Sequence, residues 1–289
     1  MNAVLVTGAS TGIGEACALR FDRAGYRVFA GVRRMVDVDR LRAEGSPRLS
    51  TIILDVTDAH AIEAARADVE RALDGAGLDA LVNNAGVAVA GPLEMLPIDA
   101  IRRQLEVNVV GQIAVTQAFL PLIRQAAGRI VFMGSIGGRM STPFLGPYCA
   151  SKFALEAIVD ALRVELAPWH IKVALIEPGS IATPIWSKSD ADAQAMQARF
   201  NPASDADYTA AMAAMRSAAE QTGRRGEPVS LVADAVLHAV ASPSPKTRYL
   251  VGRDARVRGL LVRLVPDRLR DRLVARALKL PGGGSVSDE

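Results

Sequence analysis

Tyr148 and Lys152 stand four residues apart in the run GPYCASKFALEAIVDALRVELAP, so a helix carries both on one face, one turn apart. A phenol has a pKa of about 10 and is a poor base near neutral pH. An ammonium within ~4–6 Å favours the phenolate and lowers that pKa. Such a pair suits proton transfer at an oxygen, which the exchange of an alcohol for a carbonyl requires beside a hydride carrier. The same spacing is common on plain helix surfaces, and the pair gains meaning only from its companions.

Ser135 lies just past the apolar run RIVFMG, where a buried strand would end. Ligands of open α/β sheets bind at the carboxyl edge of the strands. A hydroxyl there can donate to a substrate carbonyl or alkoxide and fix its orientation. In Gly134-Ser135-Ile136-Gly137-Gly138 it is otherwise a plain loop serine. Asn108 sits inside an apolar helical run, Glu106-Val107-Asn108-Val109, where its side chain competes with backbone hydrogen bonding. Either it holds a water linking Lys152 to solvent, or it is a satisfied buried amide.

Thr7-Gly8-Ala9-Ser10-Thr11-Gly12-Ile13-Gly14 follows the first apolar run and opens a helix. Gly8 permits the tight turn, Gly12 lets a pyrophosphate approach the backbone, and Gly14 lets helix and strand pack closely. The N–H groups and positive dipole end of that helix favour a bound phosphate, so Ser10, Thr11 and Ile13 join the glycines as a dinucleotide site. An NAD site usually places an acid at the end of the second strand. Here that strand ends Phe29-Ala30-Gly31-Val32-Arg33-Arg34. With no carboxylate to repel a 2′-phosphate, Arg33 can bind one bidentately with Arg34 as helper, which favours NADP(H) and leaves NAD(H) open. The alternative is that both arginines are solvated surface charges. Asp55, followed by Val56, ends the third strand and either accepts from an adenine amino group or stabilises a turn; Asp58 reads as the N-cap of the next helix.

The elements that must position these residues follow a β-α rhythm. Strands are expected at about 2–7, 27–32, 50–54, 79–83, 128–134, 171–177 and 247–251, with helices near 13–24, 58–75, 99–125, 148–167 and 229–241. The apolar runs lack clean alternation, as parallel strands buried on both faces do. The rhythm implies right-handed crossovers and a doubly wound sheet. Residues 1–252 form the expected catalytic domain, with an insertion at 183–226 rich in Ala, Met, Ser and Asp. A basic helical extension at 253–280 and a disordered Gly/Ser tail at 281–289 follow.

Of the 289 residues, 50% are hydrophobic and 22% charged, enough for a large core and against wholesale disorder. The net charge of +3 hides nine Lys/Arg against three Asp within 253–280, which leaves the rest of the chain negative. Two cysteines form no disulfide framework and suit a reducing, cytoplasmic setting. No signal segment is expected, nor any stretch of 18 uncharged apolar residues. His60, His170 and His238 are scattered without metal-like spacing, and no metal is expected.

Thr7–Gly14, Asn83-Asn84-Ala85-Gly86 and Tyr148-Cys149-Ala150-Ser151-Lys152 together resemble the short-chain dehydrogenase/reductase family, strongly over residues 2–185. The stretch from Gly146 to Pro168 is similar to the hydroxysteroid and retinol dehydrogenase branch. The resemblance implies a Rossmann-type parallel sheet of seven strands in the order 3-2-1-4-5-6-7, with helices on both faces. It implies a catalytic tetrad of Asn108, Ser135, Tyr148 and Lys152, with Lys152 also holding the nicotinamide ribose. It further implies that Asn83, Asn84, Ala85 and Gly86 support the sheet and line the coenzyme, and that Pro178, Gly179 and Ile181 to Thr183 cradle the nicotinamide. Thr11 departs from the pattern, since some NADP-preferring members carry a basic residue there; the coenzyme choice then rests on Arg33.

The expected activity is NADP(H)-linked interconversion of an alcohol and its carbonyl on a lipophilic, steroid- or retinoid-like substrate. Met140, Phe144 and Leu145 would wall the site beside Ser135 and Tyr148, and Ile185, Trp186, Met196, Phe200, Tyr208, Met212 and Met215 would supply a lid, or simply pack. Residues 256–280 read as two amphipathic helices broken at Pro266. They either touch an anionic membrane or dock on the core or a second subunit, a homodimer or homotetramer being expected. The competing function is a non-catalytic NADP(H) sensor on the same fold. Nucleic-acid binding is not expected, because the basic stretch lacks interleaved aromatics.

Overall fold

Short Val/Ile/Leu runs become strands here because both of their faces are covered. A computed structural model describes residues 1–183, 185, 208, 212–217, 220–221, 223 and 225–277. The strands are β1 (Ala3–Val6), β2 (Arg27–Val32), β3 (Leu49–Ile53), β4 (Ala80–Asn83), β5 (Arg129–Met133), β6 (Lys172–Pro178) and β7 (Arg248–Val251). The helices are α1 (Gly12–Arg23), α2 (Met35–Glu44), α3 (Ala59–Leu73), α4 (Ile98–Leu105), α5 (Gly111–Gln125), α6 (Gly146–Glu165), α7 (Val229–Ala241), α8 (Arg253–Leu264) and α9 (Asp267–Ala277).

All seven strands run parallel in the order β3-β2-β1-β4-β5-β6-β7, as expected. Successive side chains of each strand enter opposite cores. Leu5, Leu81, Ile130, Phe132 and Leu175 meet Val69 of α3, Phe119 and Ile123 of α5, and Leu155 and Val159 of α6. Val4, Val6, Val82, Val131 and Ile176 meet Phe21 of α1, Leu41 of α2 and Val236 of α7. Removing a fully buried Phe21, Phe119 or Phe132 side chain would cost about 3–5 kcal/mol. Strand order reverses between β1 and β4, which opens a crevice beyond their carboxyl ends.

Three features differ from the sequence reading. Helix α2 lies between β2 and β3, where no helix was expected; only Asp37, Val38 and Leu41 of it are buried. The expected helix at 99–125 is broken by a π turn, Glu106–Val110, which carries Asn108. The segment Ile98–Gln125 is also long and apolar enough to cross a membrane, with mean hydropathy 1.3. Its Val115, Phe119 and Ile123 are nevertheless core residues beneath the sheet.

At the C-terminal side, α8 turns the small residues Ala255 and Gly259 inward, and Gly259 lets the helix approach Leu250 of β7. Val257, Leu260 and Leu264 stay exposed, as do Leu269 and Leu273 of α9.

Candidate active site

The loop from β1 to α1 is held open by glycine and tied down by β4. Gly8 and Gly12 adopt positive φ, +64° and +63°. A Cβ on Gly8 would lie 2.8 Å from the Ala85 Cα, and one on Gly14 would lie 2.2 Å from the Gly8 carbonyl oxygen. Asn84 Nδ2 donates to the carbonyls of Thr7 at 3.0 Å and Gly8 at 3.2 Å. Thr7 Oγ1 in turn accepts from the backbone N–H of Asn84 and of Ala85. Asn83 points elsewhere, donating to Thr116 Oγ1 at 2.8 Å. The Thr11 side chain, at the N-cap, makes no capping bond to the first turn of α1, so the leading amides of that turn can serve a phosphate.

This loop forms one wall of a cleft of about 920 Å³. Gly8, Ser10, Thr11, Gly12, Ile13, Gly14, Arg33, Asp55, Val56, Asn84, Ala85 and Gly86 line it from β1 to β4. Ser135, Tyr148, Lys152, Pro178, Gly179, Ile181, Thr183 and Ile185 line it from β5, α6 and β6. The two arginines after β2 part company. Arg33 lines the cleft, is exposed, and makes no hydrogen bond or ion pair with another described residue. Arg34 is held by Asp37, donating to both of its carboxylate oxygens at 3.0 and 3.2 Å, and lies off the cleft. Asp55 accepts from the N–H and hydroxyl of Thr57. Burial pushes the Asp55 carboxyl up, but those bonds and the nearby Arg33 and Arg103 hold it below the ordinary value. Asp58 caps α3 as expected, accepting from the N–H of His60 and of Ala61. Arg102 and Arg103 of α4 also line the cleft, and the sequence reading missed them because it treated their helix as core.

Tyr148 and Lys152 share one face of α6, with Lys152 Nζ 5.7 Å from the centre of the Tyr148 ring. Burial pushes the Tyr148 phenol up to about 12, opposed by its hydrogen bond with Ser135. Lys152 is 4% exposed, and burial lowers it to about 8. Its ammonium donates to the Met133 carbonyl at 2.7 Å, at the end of β5. Ser135 follows that strand and caps a short turn, its Oγ accepting from the Gly137 N–H at 3.0 Å. Asn108 is fully buried behind the cleft. Its Oδ1 accepts from the Val87 N–H, and its Nδ2 donates to the Val87 carbonyl and to Ser151 Oγ. Asn108 therefore braces α6 through the residue next to Lys152.

Residues 2–194 match the family model of short chain dehydrogenases. The chain belongs to that family. It is an oxidoreductase acting on CH–OH groups. The NADPH-dependent 3-dehydrocapnine reductase of Ornithobacterium rhinotracheale is 36% identical over 284 residues, which covers 96% of this chain and 98% of that protein. Human retinol dehydrogenase 5 is 37% identical over 284 residues, covering 96% and 89%. Among solved structures, a short-chain dehydrogenase from Streptomyces avermitilis matches with TM-score 0.74 and 30% identity, covering 96% of this chain and 97% of that one. One from Burkholderia cenocepacia J2315, in complex with NADP, matches with TM-score 0.72 and 26% identity over 94% and 97%.

Between β5 and α6 of this dehydrogenase, Phe144, which was expected to wall the site, lies off the main cleft and holds a left-handed backbone, φ +64°, with its carbonyl accepting from the Gly91 N–H. Its ring meets Tyr208 edge-on at 6.2 Å, and the two line a shallow hollow with Pro92, Leu93 and Glu94. Met140 is partly exposed and lies off the main cleft. Met212 is buried and Met215 partly buried. Trp186, Met196, Phe200 and the tail at 281–289 lie outside the described residues.

Proposed function

We propose that this dehydrogenase interconverts a lipophilic secondary or primary alcohol and its ketone or aldehyde with NADP(H), Tyr148 acting as general acid and base. The observation that carries this is the convergence of Ser135, Tyr148 and Lys152 on a cleft continuous with the glycine loop. The residues present fit a dinucleotide: the glycine loop can keep its tight course only without side chains at Gly8 and Gly14, which would strike Ala85 and the Gly8 carbonyl, it lines the cleft, and the Thr11 side chain makes no capping bond at the start of α1. When bound, the nicotinamide supplies or takes up the hydride.

The chain's own residues manage the oxygen. Ser135 donates to the substrate oxygen and orients it. In the reducing direction Tyr148, protonated at neutral pH because burial raises it to about 12, donates its proton to the developing alkoxide. In the oxidising direction Tyr148 must first lose that proton, and the Lys152 ammonium on the same helix face favours the phenolate. Lys152 also holds the ribose, and Asn108 keeps α6 in place through Ser151. Arg33 binds the 2′-phosphate, a reading supported by the NADPH-dependent relative and the NADP-bound neighbour. Ile185 offers an apolar surface to the substrate within the cleft, and Phe144 and Tyr208 offer another in the separate hollow.

The test is NADPH and NADH oxidation across steroid, retinoid and long-chain carbonyls, with Tyr148→Phe as control. Turnover with NADPH that disappears in the variant supports the reading. A strong NADH preference removes the role given to Arg33.

The outward Val257, Leu260 and Leu264, set among the arginines of α8, support peripheral contact with an anionic membrane, where lipophilic substrates partition. Full-length protein should sediment with anionic liposomes and a 1–252 truncation should not. Equal recovery of both in the supernatant contradicts the membrane contact.

A further inference from the structure

Along α6 lies an ionic cluster that the reaction chemistry does not use, with Glu177 at its buried end and Asp160 at its exposed rim. Tyr148, Lys152 and Glu156 recur every four residues and therefore follow one side of the helix. Glu177 of β6 is wholly buried, and Arg139 grips both of its carboxylate oxygens, one of them at 2.7 Å. Arg248 of β7 donates to Glu156 Oε2 at 3.0 Å and to Asp160 Oδ2 at 2.7 Å. Arg163 takes the other oxygen of Asp160. One position has no N–H donor: Glu156 Oε1 is buried and unpartnered by any of these groups. Glu177 has the Glu156 carboxyl as a close neighbour, near enough to act on it directly. Two ionised carboxylates in contact repel, and a buried acceptor without a donor is costly. A single proton between them removes both penalties.

The cluster also sits where three parts of the site meet. Arg139 directly follows the short turn that Ser135 caps. Gly138 of that turn is pressed on α6, where an added Cβ would lie 2.9 Å from the Lys152 carbonyl oxygen. Pro178, next after Glu177, lines the cleft.

We propose that Glu156 and Glu177 share one proton and act as positioning residues, locking the Ser135 turn, the Tyr148–Lys152 face of α6 and the Pro178 stretch to one another. This rests on the roles given above to Ser135 and Tyr148. Burial and the neighbouring Glu156 raise Glu177 well above the ordinary carboxyl range, against the pull of Arg139, which agrees with a retained proton. The charged groups facing the pair are Arg139 after β5, Asp160 and Arg163 on α6, and Arg248 on β7.

Infrared spectroscopy of the full chain at neutral pH reads the proton directly. The C=O stretch of a protonated carboxylic acid should be present, shift on labelling glutamate carboxyls with carbon-13, and vanish in both Glu156→Gln and Glu177→Gln. In turnover, Glu156→Gln supplies a permanent N–H donor and should keep kcat within about threefold. Glu156→Ala should lower kcat about tenfold or more while the KM for NADPH changes little, because the reacting groups lose alignment. Lack of the band in the wild-type protein overturns the shared proton. A folded Glu156→Gln that loses as much kcat as Glu156→Ala overturns it equally. Tyr148→Phe is run beside these: full turnover there breaks the catalytic reading, while the band still reports on the pair.

Discussion

Lys152 Nζ lies 5.7 Å from the centre of the Tyr148 ring and donates to the carbonyl of Met133 at 2.7 Å. One ammonium thus joins the tyrosine helix to the end of the central strand that leads into Ser135. Burial lowers Lys152 from 10.5 to about 8. The unfolded chain therefore binds more protons between these values, and the native state gains stability as pH rises through that window. Lys152→Met should abolish turnover yet raise the melting temperature near pH 7. Its advantage should shrink by up to about 3 kcal/mol as pH passes from 8 towards 10.5, since the wild-type lysine neutralises there. Chemical denaturation at several pH values measures this, and a pH-independent difference would contradict it.

Arg33 and Arg34 should separate cleanly. Arg33→Ala should raise the KM for NADPH about tenfold or more and leave that for NADH nearly unchanged, from loss of charge-assisted bonds to the 2′-phosphate. Arg34→Ala, whose guanidinium serves Asp37, should change neither by more than about twofold. Steady-state kinetics with both coenzymes decides.

Gly14→Ala would place a Cβ 2.2 Å from the Gly8 carbonyl oxygen and 2.4 Å from Asn84 Nδ2. Backbone must move, at a cost of about 1–3 kcal/mol, and the phosphate cradle opens with it. Coenzyme affinity measured by titration calorimetry should fall about tenfold or more. Affinity equal to wild type would mean that the dinucleotide does not lie across this loop.

Asp254, at the start of α8, accepts from the Ser180 N–H at 2.8 Å. Its carboxylate stands where a side chain on Gly179 would fall, 1.9 Å from the nearest oxygen. Asp254→Ala should leave that N–H unsatisfied, cost about 1–3 kcal/mol, and raise the KM for NADPH through a loosened 178–183 stretch. Asp254→Asn keeps an acceptor and should recover much of both losses.

The strands were legible because continuous apolar runs admit little else once both faces are buried. The glycine loop was legible because turn, close approach and helix start coincide within eight residues. Helix α2 was not, since its sequence MVDVDRLRAE buries only three side chains and shows almost no apolar stripe. Arg102 and Arg103 were lost for a related reason: they stand on the wet side of a helix whose apolar side drew the reading. Glu177 offered a signal that went unused. An acid inside the buried run VALIEPG requires a cation or a proton donor. The structure supplies the cation, Arg139. The sequence also could not show that the apolar residues of α8 face outward, because Ala255 and Gly259 make the inward contact.

The central claim is that the Tyr148 hydroxyl carries the proton. Single-turnover oxidation of NADPH by a carbonyl substrate, compared between wild type and Tyr148→Phe at saturating coenzyme, isolates that step. The account predicts a rate lower by about a hundredfold or more, with NADPH affinity within about twofold of wild type. A Tyr148→Phe enzyme that turns over at the wild-type rate would contradict it.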